Sequence, residues 1–248
     1  PGWVGYPGGK LYYTQNLQTD KIVSQRLEVS LHSGTHLDGP MHGTDTMEGM
    51  SDLPLTKLVH EGVIVDVSDV CTDWDVITPE HITSKVEVKQ HDIIILHTGW
   101  HRHAQFGEEP DEEKYVHRHP GAHPDMVPWL LEKEIHIWGV DVISTDHPMD
   151  LPIGRFLGKG SFGHCDRVRK QAEEKFGGPE EVDRLFPDED YQLTHNRLFP
   201  HNCMHVENMG GDISHPDIQN RRLTIGIFPW KFRGGEAAFC RAIAFVEE

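Results

Sequence analysis

The 248-residue chain carries a formal net charge of −17, with 37% hydrophobic and 25% charged residues. That charge argues against nucleic acid as a partner, because phosphate binding needs clustered Lys and Arg, and no apolar run approaches the ~20 residues of a membrane span. A chain this long buries a core without staples, and its four cysteines, Cys71, Cys165, Cys203 and Cys240, show no CxxC spacing and read as reduced thiols of a cytoplasmic protein. The first residues have neither the basic flank nor the apolar run of a signal peptide. Because the chain does not open on Met, an upstream strand or a cleaved leader stays open.

From the N-terminus, Trp3 and Tyr6 stand among glycines, and with Trp100 they read as packing groups or as walls of an aromatic pocket. Residues 24–31 alternate polar and apolar side chains, as a half-buried strand does. Val63-Ile-Val-Asp-Val and Asp92-Ile-Ile-Ile-Leu are apolar enough to be strands buried on both faces. Between them, Thr78-Pro-Glu-His-Ile-Thr predicts a short helix with Thr78 as N-cap and Pro79 at its first position. A further helix is predicted over 123–133, feeding a strand-like run from His136 to Ile143 that ends at Ser144, Asp146 and His147. Ionisable groups at the end of a buried strand often mark a site, although near neighbours in one turn rarely reach triad geometry.

Residues 151–192 are Gly-rich and then strongly charged, and read as an excursion with one helix near 165–175. The C-terminal part returns to strand-like alternation at 223–228 and 242–246. Strands at both ends with helices between them predict an α/β (mixed α+β) class. Nothing marks a linker, so residues 1–248 are expected to form a single domain with a charged excursion at about 150–190.

Nineteen histidines raise the expectation of a metal site, and one run locates it. In His32-Ser-Gly-Thr-His36-Leu-Asp38-Gly-Pro-Met-His42, the ionisable groups stand at i, i+4, i+6 and i+10. A helix cannot gather them at ~100° per residue, and Gly34, Gly39 and Pro40 would break one. An extended chain puts all four on one face, yet His32 and His36 would then be ~13 Å apart. Two imidazoles with metal bonds of ~2 Å cannot share an ion across that gap. The chain must bend, and Gly34 is the residue that permits it. Two imidazoles and a carboxylate suit a divalent zinc, manganese or iron ion with positions left for water and substrate. His42, just beyond, could take the water's proton.

The run resembles the HxGTHxDxPxH signature of the cyclase-like metal hydrolases, a family that includes kynurenine formamidases and isatin hydrolases. All seven fixed positions are present, at His32, Gly34, Thr35, His36, Asp38, Pro40 and His42. The strand leading into Thr98-Gly-Trp100, the stretch Trp138-Gly-Val-Asp141 with Ser144 and Asp146, and the closing Arg241-Ala-Ile-Ala are similar to further family segments. The resemblance implies a swivelling β/β/α fold, His32, His36 and Asp38 as ligands of manganese or zinc, and His42 as base. It also implies a second His and Glu that complete the site, matched here by His195 and Glu207. Spacing alone offers a rival, since His201, His205 and Glu207 repeat the i, i+4, i+6 pattern. Glu207 belongs to both readings.

The activity expected is hydrolysis of a C–N bond in a small amide or cyclic amide, isatin hydrolase-like, with kynurenine formamidase or a lactone hydrolase as alternatives. A metal-binding relative without turnover is the reading from a different class. The expected partners are a small-molecule substrate and further copies of the chain in a homodimer or higher homo-oligomer, with neither nucleic acid nor membrane.

Overall fold

The structure is a computed structural model that describes residues 9–152 and 165–246. In chain order the strands are β1 (Lys10–Gln15), β2 (Ser24–Glu28), β3 (His36–Asp38), β4 (Val59–Asp66), β5 (Val76–Ile77), β6 (Ile93–His97), β7 (Gly121–Ala122), β8 (Ile137–Val140), β9 (Met204–Glu207), β10 (Arg221–Pro229) and β11 (Ala237–Phe245). The helices are α1 (Leu17–Asp20), α2 (Pro40–Gly43), α3 (Leu55–Leu58), α4 (Pro79–Thr83), α5 (Glu112–His117), α6 (Met126–Glu132), α7 (Cys165–Phe176), α8 (Pro179–Leu185) and α9 (Leu193–Leu198). The class is mixed α/β, as the alternation of patterns predicts.

Seven strands close into a barrel in the order β4-β6-β8-β9-β3-β11-β10. The side from β4 through β6 and β8 to β9 is parallel, and the remaining pairings are antiparallel. Every barrel strand sends apolar side chains into one cluster, among them Leu37, Ile64, Ile95, Ile137, Val206, Ile225 and Ala238, which is therefore the barrel interior. Alternate residues of the parallel strands, such as Val63, Ile94, Leu96 and Trp138, face outward and pack with Ile82 of α4, Val116 of α5 and Met126 and Leu130 of α6. Burial on both faces explains why these strands read as continuous apolar runs. Each such side chain contributes roughly 1.5–3 kcal/mol on burial.

The antiparallel pair of β3 and β9 departs from this rule. Its register sets His36 opposite Glu207, Leu37 opposite Val206, and Asp38 opposite His205. Leu37 and Val206 fill the barrel. Strand alternation therefore puts His36, Asp38, His205 and Glu207 together on the outer face.

Three expectations need correction. The strand predicted at 24–31 is the shorter β2, and it is exposed rather than half-buried, because it pairs only with β1 in a two-stranded sheet of its own. Among its described residues the charged excursion holds two α-helices, not one. Its second helix, α8, follows Gly178 with Pro at its start and Glu180 and Glu181 in its first turn, a start signal the sequence does carry. Trp100 is 1% exposed, and its indole N–H donates to the Lys114 carbonyl at 3.3 Å, so it packs in the outer core and walls no pocket. Trp3 and Tyr6 lie outside the described residues. Cys71, Cys203 and Cys240 are free and buried, and burial pushes the Cys240 thiol up to about 12. The Cys165 side chain lies outside the described residues. Among the described residues, no helix is long and apolar enough to cross a membrane.

The excursion docks on the body through a small core of Trp74, Met149, Val168, Ala172, Val182 and Phe186. His147 is buried beside it, with Nε2 donating to the Trp74 carbonyl at 2.9 Å, Nδ1 accepting from the Met149 amide at 3.1 Å, and its ring stacked 4.1 Å from Phe186. Burial pushes this imidazole down to about 3 and that of His119 to about 4. Both stay neutral in the folded chain, whereas an unfolded His gains a proton below ~6.5. Their stabilising effect is thus complete above pH ~6.5 and is lost as pH falls through the acid range. We predict that urea melts lose about 2 kcal/mol or more of unfolding free energy between pH 6.5 and 4, and that His147→Gln flattens the slope. An unchanged slope in that variant would remove His147 from the account.

Candidate metal centre

The bend required between His32 and His36 is present. Gly34 has φ +66°, a left-handed conformation, and open space lies around the position a Cβ would occupy. The Gly34 carbonyl then accepts a hydrogen bond from His36 Nδ1 at 2.9 Å. This bond fixes the His36 tautomer and turns Nε2 toward Asp38. His32 is oriented the other way round, with Nε2 on Glu236 Oε2 at 3.0 Å and Nδ1 facing Asp38. The three inward atoms are His32 Nδ1, His36 Nε2 and Asp38 Oδ1. Their separations are 2.9 Å (His32 to Asp38), 3.1 Å (His32 to His36) and 3.2 Å (His36 to Asp38). A triangle of that size suits three donors around one ion at bonds of ~2.1 Å.

The state of Asp38 tests the fit. It is fully buried, and neither carboxylate oxygen takes part in a hydrogen bond. The nearby imidazole nitrogens approach its oxygens without lying along hydrogen-bond directions. A buried, unbonded carboxylate is costly unless a cation meets it. The electrostatics agree. Burial opposes charge on His32, yet the Asp38 and Glu236 carboxylates raise its imidazole to about 10. Burial also works to raise the Asp38 carboxyl, but His36 and His32 hold it well below the usual carboxylate range. The cluster calls for positive charge, and a divalent ion supplies it while leaving the imidazoles neutral. The donor set fits such an ion.

A second group adjoins the first through the other oxygen of Asp38. His195 on α9 places Nε2 4.0 Å from Asp38 Oδ2 and 3.8 Å from Glu207 Oε1. Its Nδ1 donates to Asp146 Oδ2 at 2.7 Å, and Asp146 Oδ1 accepts from the Thr194 amide and hydroxyl at 2.6 and 2.7 Å. Carboxylate backing of this kind orients an imidazole toward a metal. Burial and the neighbouring Asp38 raise the Glu207 carboxyl, and Glu207 Oε1 accepts from the Thr145 amide at 2.9 Å. His205 lies in the same cluster, its Nδ1 3.0 Å from Thr145 Oγ1 and its buried Nε2 without a hydrogen-bond partner. Ligand atoms of His195, His205 and Glu207 lie within 4.8 Å of one another, as do those of Asp38, His42 and His195. His201 is exposed and stands apart.

His42 rides on the short helix α2 rather than on an extended face. Its Nδ1 is 3.0 Å from Glu236 Oε2, and its ring is 5.5 Å from that of His195 and 5.7 Å from Phe199. A cavity of about 490 Å³ opens here, lined by His42, Thr44, Asp45, Gln192, His195 and Asn196. A larger cavity of about 660 Å³ lies over β10 and β11 and is lined by none of the donors.

Two acidic residues escaped sequence reasoning. Asp146 stood beside His147 as a triad on paper, but the two side chains diverge, His147 toward Phe186 and Asp146 toward His195. Glu236 lies nearly two hundred residues beyond His42, and only barrel closure through β11 and β3 brings it in. A further trio, His97, His101 and Asp141, sits at the C-terminal ends of β6 and β8. There Asp141 already accepts from the Thr98 amide and hydroxyl and the Gly99 amide at 2.8, 2.5 and 3.0 Å, and so caps the turn before Trp100.

Comparison with known proteins follows the same lines. The family model described as "Putative cyclase" matches residues 3–147. A kynurenine formamidase of Bacillus cereus is 32% identical over 130 residues, covering 50% of this chain and 53% of the relative. An isatin hydrolase of Roseibium aggregatum is 30% identical over 128 residues, covering 46% of this chain and 48% of the relative. The matches thus span about half the length of these curated relatives. Among solved structures, an isatin hydrolase bound to the product analogue thioisatinate aligns over 98% of this chain and 83% of its own, with a TM-score of 0.69 at 22% identity. A structure described as a potential metal-dependent hydrolase with cyclase activity aligns over 100% and 95%, with a TM-score of 0.58 at 19% identity.

We predict that Asp38→Ala purifies with less than about a tenth of the wild-type divalent metal, because it removes the carboxylate both groups share. Asp146→Asn should weaken metal affinity about 10–100-fold, and Glu207→Ala should cost more metal than His205→Ala. Elemental analysis after dialysis checks all four. Full occupancy in Asp38→Ala would sink the site, and a reversed order of Glu207 and His205 would reassign its second half.

Proposed function

The chain belongs to the cyclase family, and on that premise we propose that it is a metal-dependent hydrolase that cleaves a C–N bond in a small amide or cyclic amide, in the manner of an isatin hydrolase. The observation that carries this reading is Asp38, a buried carboxylate with no hydrogen bond, set among inward-facing imidazoles beside a general-base candidate. His32, His36 and Asp38 would hold a manganese or zinc ion, and Asp38, His195 and Glu207 a second. An ion bound there supplies Lewis acidity, which polarises a carbonyl and makes water a better nucleophile.

The protein's own groups do the rest. The ring nitrogen of His42 not engaged by Glu236 is Nε2, and it accepts the proton of the attacking water. The same nitrogen then returns that proton to the departing amine nitrogen, as microscopic reversibility allows. Asp146 and the Gly34 carbonyl keep His195 and His36 in one tautomer each, so no ligand has to reorient during turnover. The cavity beside His42 offers the carboxamides of Gln192 and Asn196, the Thr44 hydroxyl and the Asp45 carboxylate. This lining suits a neutral polar substrate better than an anionic one.

Kynurenine formamidase activity is the second reading, favoured by relatives of that name at 32–33% identity. Both readings use the same site and differ only in the amide presented to it. Self-association belongs to the proposal as well. The β1–β2 hairpin and its loop expose Leu11, Tyr13, Ile22, Val23 and Leu27, which supports a homodimer or higher assembly.

We predict that the metal-loaded protein opens isatin faster than it hydrolyses N-formylkynurenine, and that His42→Ala keeps its metal while kcat falls about 10²–10⁴-fold. Turnover assays beside elemental analysis decide. Loss of metal in His42→Ala would make this residue a ligand. Metal loading with no hydrolysis of any amide, imide or lactone would leave a binding protein.

A further inference from the structure

Glu236 is the first residue before β11, and its backbone is pinned at the helix that carries His42. Its carbonyl accepts the Gly39 amide at 2.9 Å, and the neighbouring Gly235 carbonyl accepts the Met50 amide at 2.9 Å. Gly39 is the N-cap of α2. From this fixed position one carboxylate oxygen, Oε2, lies 3.0 Å from His32 Nε2 and 3.0 Å from His42 Nδ1. The rings of His32 and His42 are 4.4 Å apart, tilted by 48°. The Phe199 ring lies 5.7 Å from that of His42, and α2 packs so closely on Phe199 that a Cβ at Gly43 would come within 2.3 Å of its ring.

We propose that Glu236 is the positioning residue for the base, with one carboxylate oxygen accepting His42 Nδ1–H and His32 Nε2–H together. The inference rests on the hydrolase reading given above. A neutral imidazole carries one N–H, and the hydrogen bond it makes decides which nitrogen keeps the lone pair. With Nδ1–H held by Glu236, the lone pair of His42 is on Nε2. A ring nitrogen of His42 lies within 4.8 Å of ligand atoms of Asp38 and His195, which sets the ring beside the groups that would hold the metal. When Nε2 takes the water's proton the ring becomes an imidazolium, and the Glu236 charge stabilises it until the proton passes to the leaving nitrogen. Because the same oxygen holds His32, the base and a metal-facing imidazole stay at a set separation.

The same three groups have a competing use. Ligand atoms of His32, His42 and Glu236 lie within 4.8 Å of one another and could themselves surround an ion. The two uses differ in what happens when Glu236 is removed.

The test compares wild type with Glu236→Ala and Glu236→Gln as the full chain loaded with zinc, by ¹⁵N-imidazole NMR, metal content and kinetics on isatin. The proposal expects His42 in the Nδ1–H tautomer in wild type and in the Nε2–H tautomer in Glu236→Ala. Because His32 loses its carboxylate partner, zinc affinity should fall about 10–100-fold, but at saturating zinc the metal content should be unchanged, with kcat down about 10²-fold and KM within about threefold. Acetate should restore part of the Glu236→Ala rate by entering the vacated, solvent-accessible position, a rescue that a purely structural role would not give. Glu236→Gln, which keeps the shape without the charge, should fall between the two. The same His42 tautomer in wild type and Glu236→Ala would overturn the proposal. So would a site that stays empty at saturating zinc in either variant, which would make Glu236 a ligand. If wild type hydrolyses no amide, the functional reading fails separately, and the tautomer comparison still decides the role of Glu236.

Discussion

A carboxylate buried without a hydrogen bond sets the terms for the rest of this molecule. Asp38 lies at the end of a three-residue strand, fully enclosed, with both oxygens facing nitrogen atoms that do not donate to them. A buried carboxylate costs several kcal/mol unless cationic groups meet it, so the fold must surround it with compensation. Four separate devices converge on the task. The left-handed bend at Gly34 swings His32 beside His36, the Gly34 carbonyl aims His36, Glu236 aims His32, and Asp146 aims His195. None of these serves the apolar core. Together they arrange the donors that a cation site requires.

The barrel makes that preparation rigid. Leu37 and Val206 face each other inside it, among the best-buried side chains of the chain, so β3 and β9 cannot slip by one residue without turning His36, Asp38 and Glu207 into the apolar interior. The outer faces of the parallel strands β4, β6 and β8 are covered by α4, α5 and α6. Over β3 and β9 the cover is lighter, formed by the short helix α2 and by α9, and these elements carry His42 and His195. The proposed ligands His36, Asp38 and Glu207 thus sit on strands locked by the core, whereas the proposed base sits on a short helix that needs its own tether, the role proposed for Glu236.

The sequence revealed the elements whose signals are local. The apolar runs of β4, β6 and β8, the Thr78 cap with Pro79, and the compact motif from His32 to His42 all declare themselves within about ten residues, because their periodicity, capping and ligand spacing are short-range properties. The bend at Gly34 was legible by the same logic, since an ion cannot be shared across an extended chain. Residues that depend on closure of the barrel were not legible. Glu236 has no pattern of its own, and it matters only because β11 pairs with β3. Asp146 was visible as an ionisable group at a strand end, but nothing in the sequence says that it turns to His195 while His147 turns away. The exposure of β2 was hidden for a related reason: alternation shows that a strand has an apolar face, not that anything covers it.

Net charge gives the account its final constraint. A chain at −17 attracts cations throughout, yet Asp38, Glu207 and Asp146 are buried rather than spread over the surface, so the site is distinguished by enclosure and donor geometry. The most direct test of the cation site is crystallography of the manganese- or zinc-loaded protein, with anomalous differences collected on both sides of the metal's absorption edge. An edge-dependent peak is expected between His32 Nδ1, His36 Nε2 and the Asp38 carboxylate, with any second peak between Asp38, His195 and Glu207. Absence of a peak at Asp38, or a peak only at a surface carboxylate or histidine, would contradict the cation site.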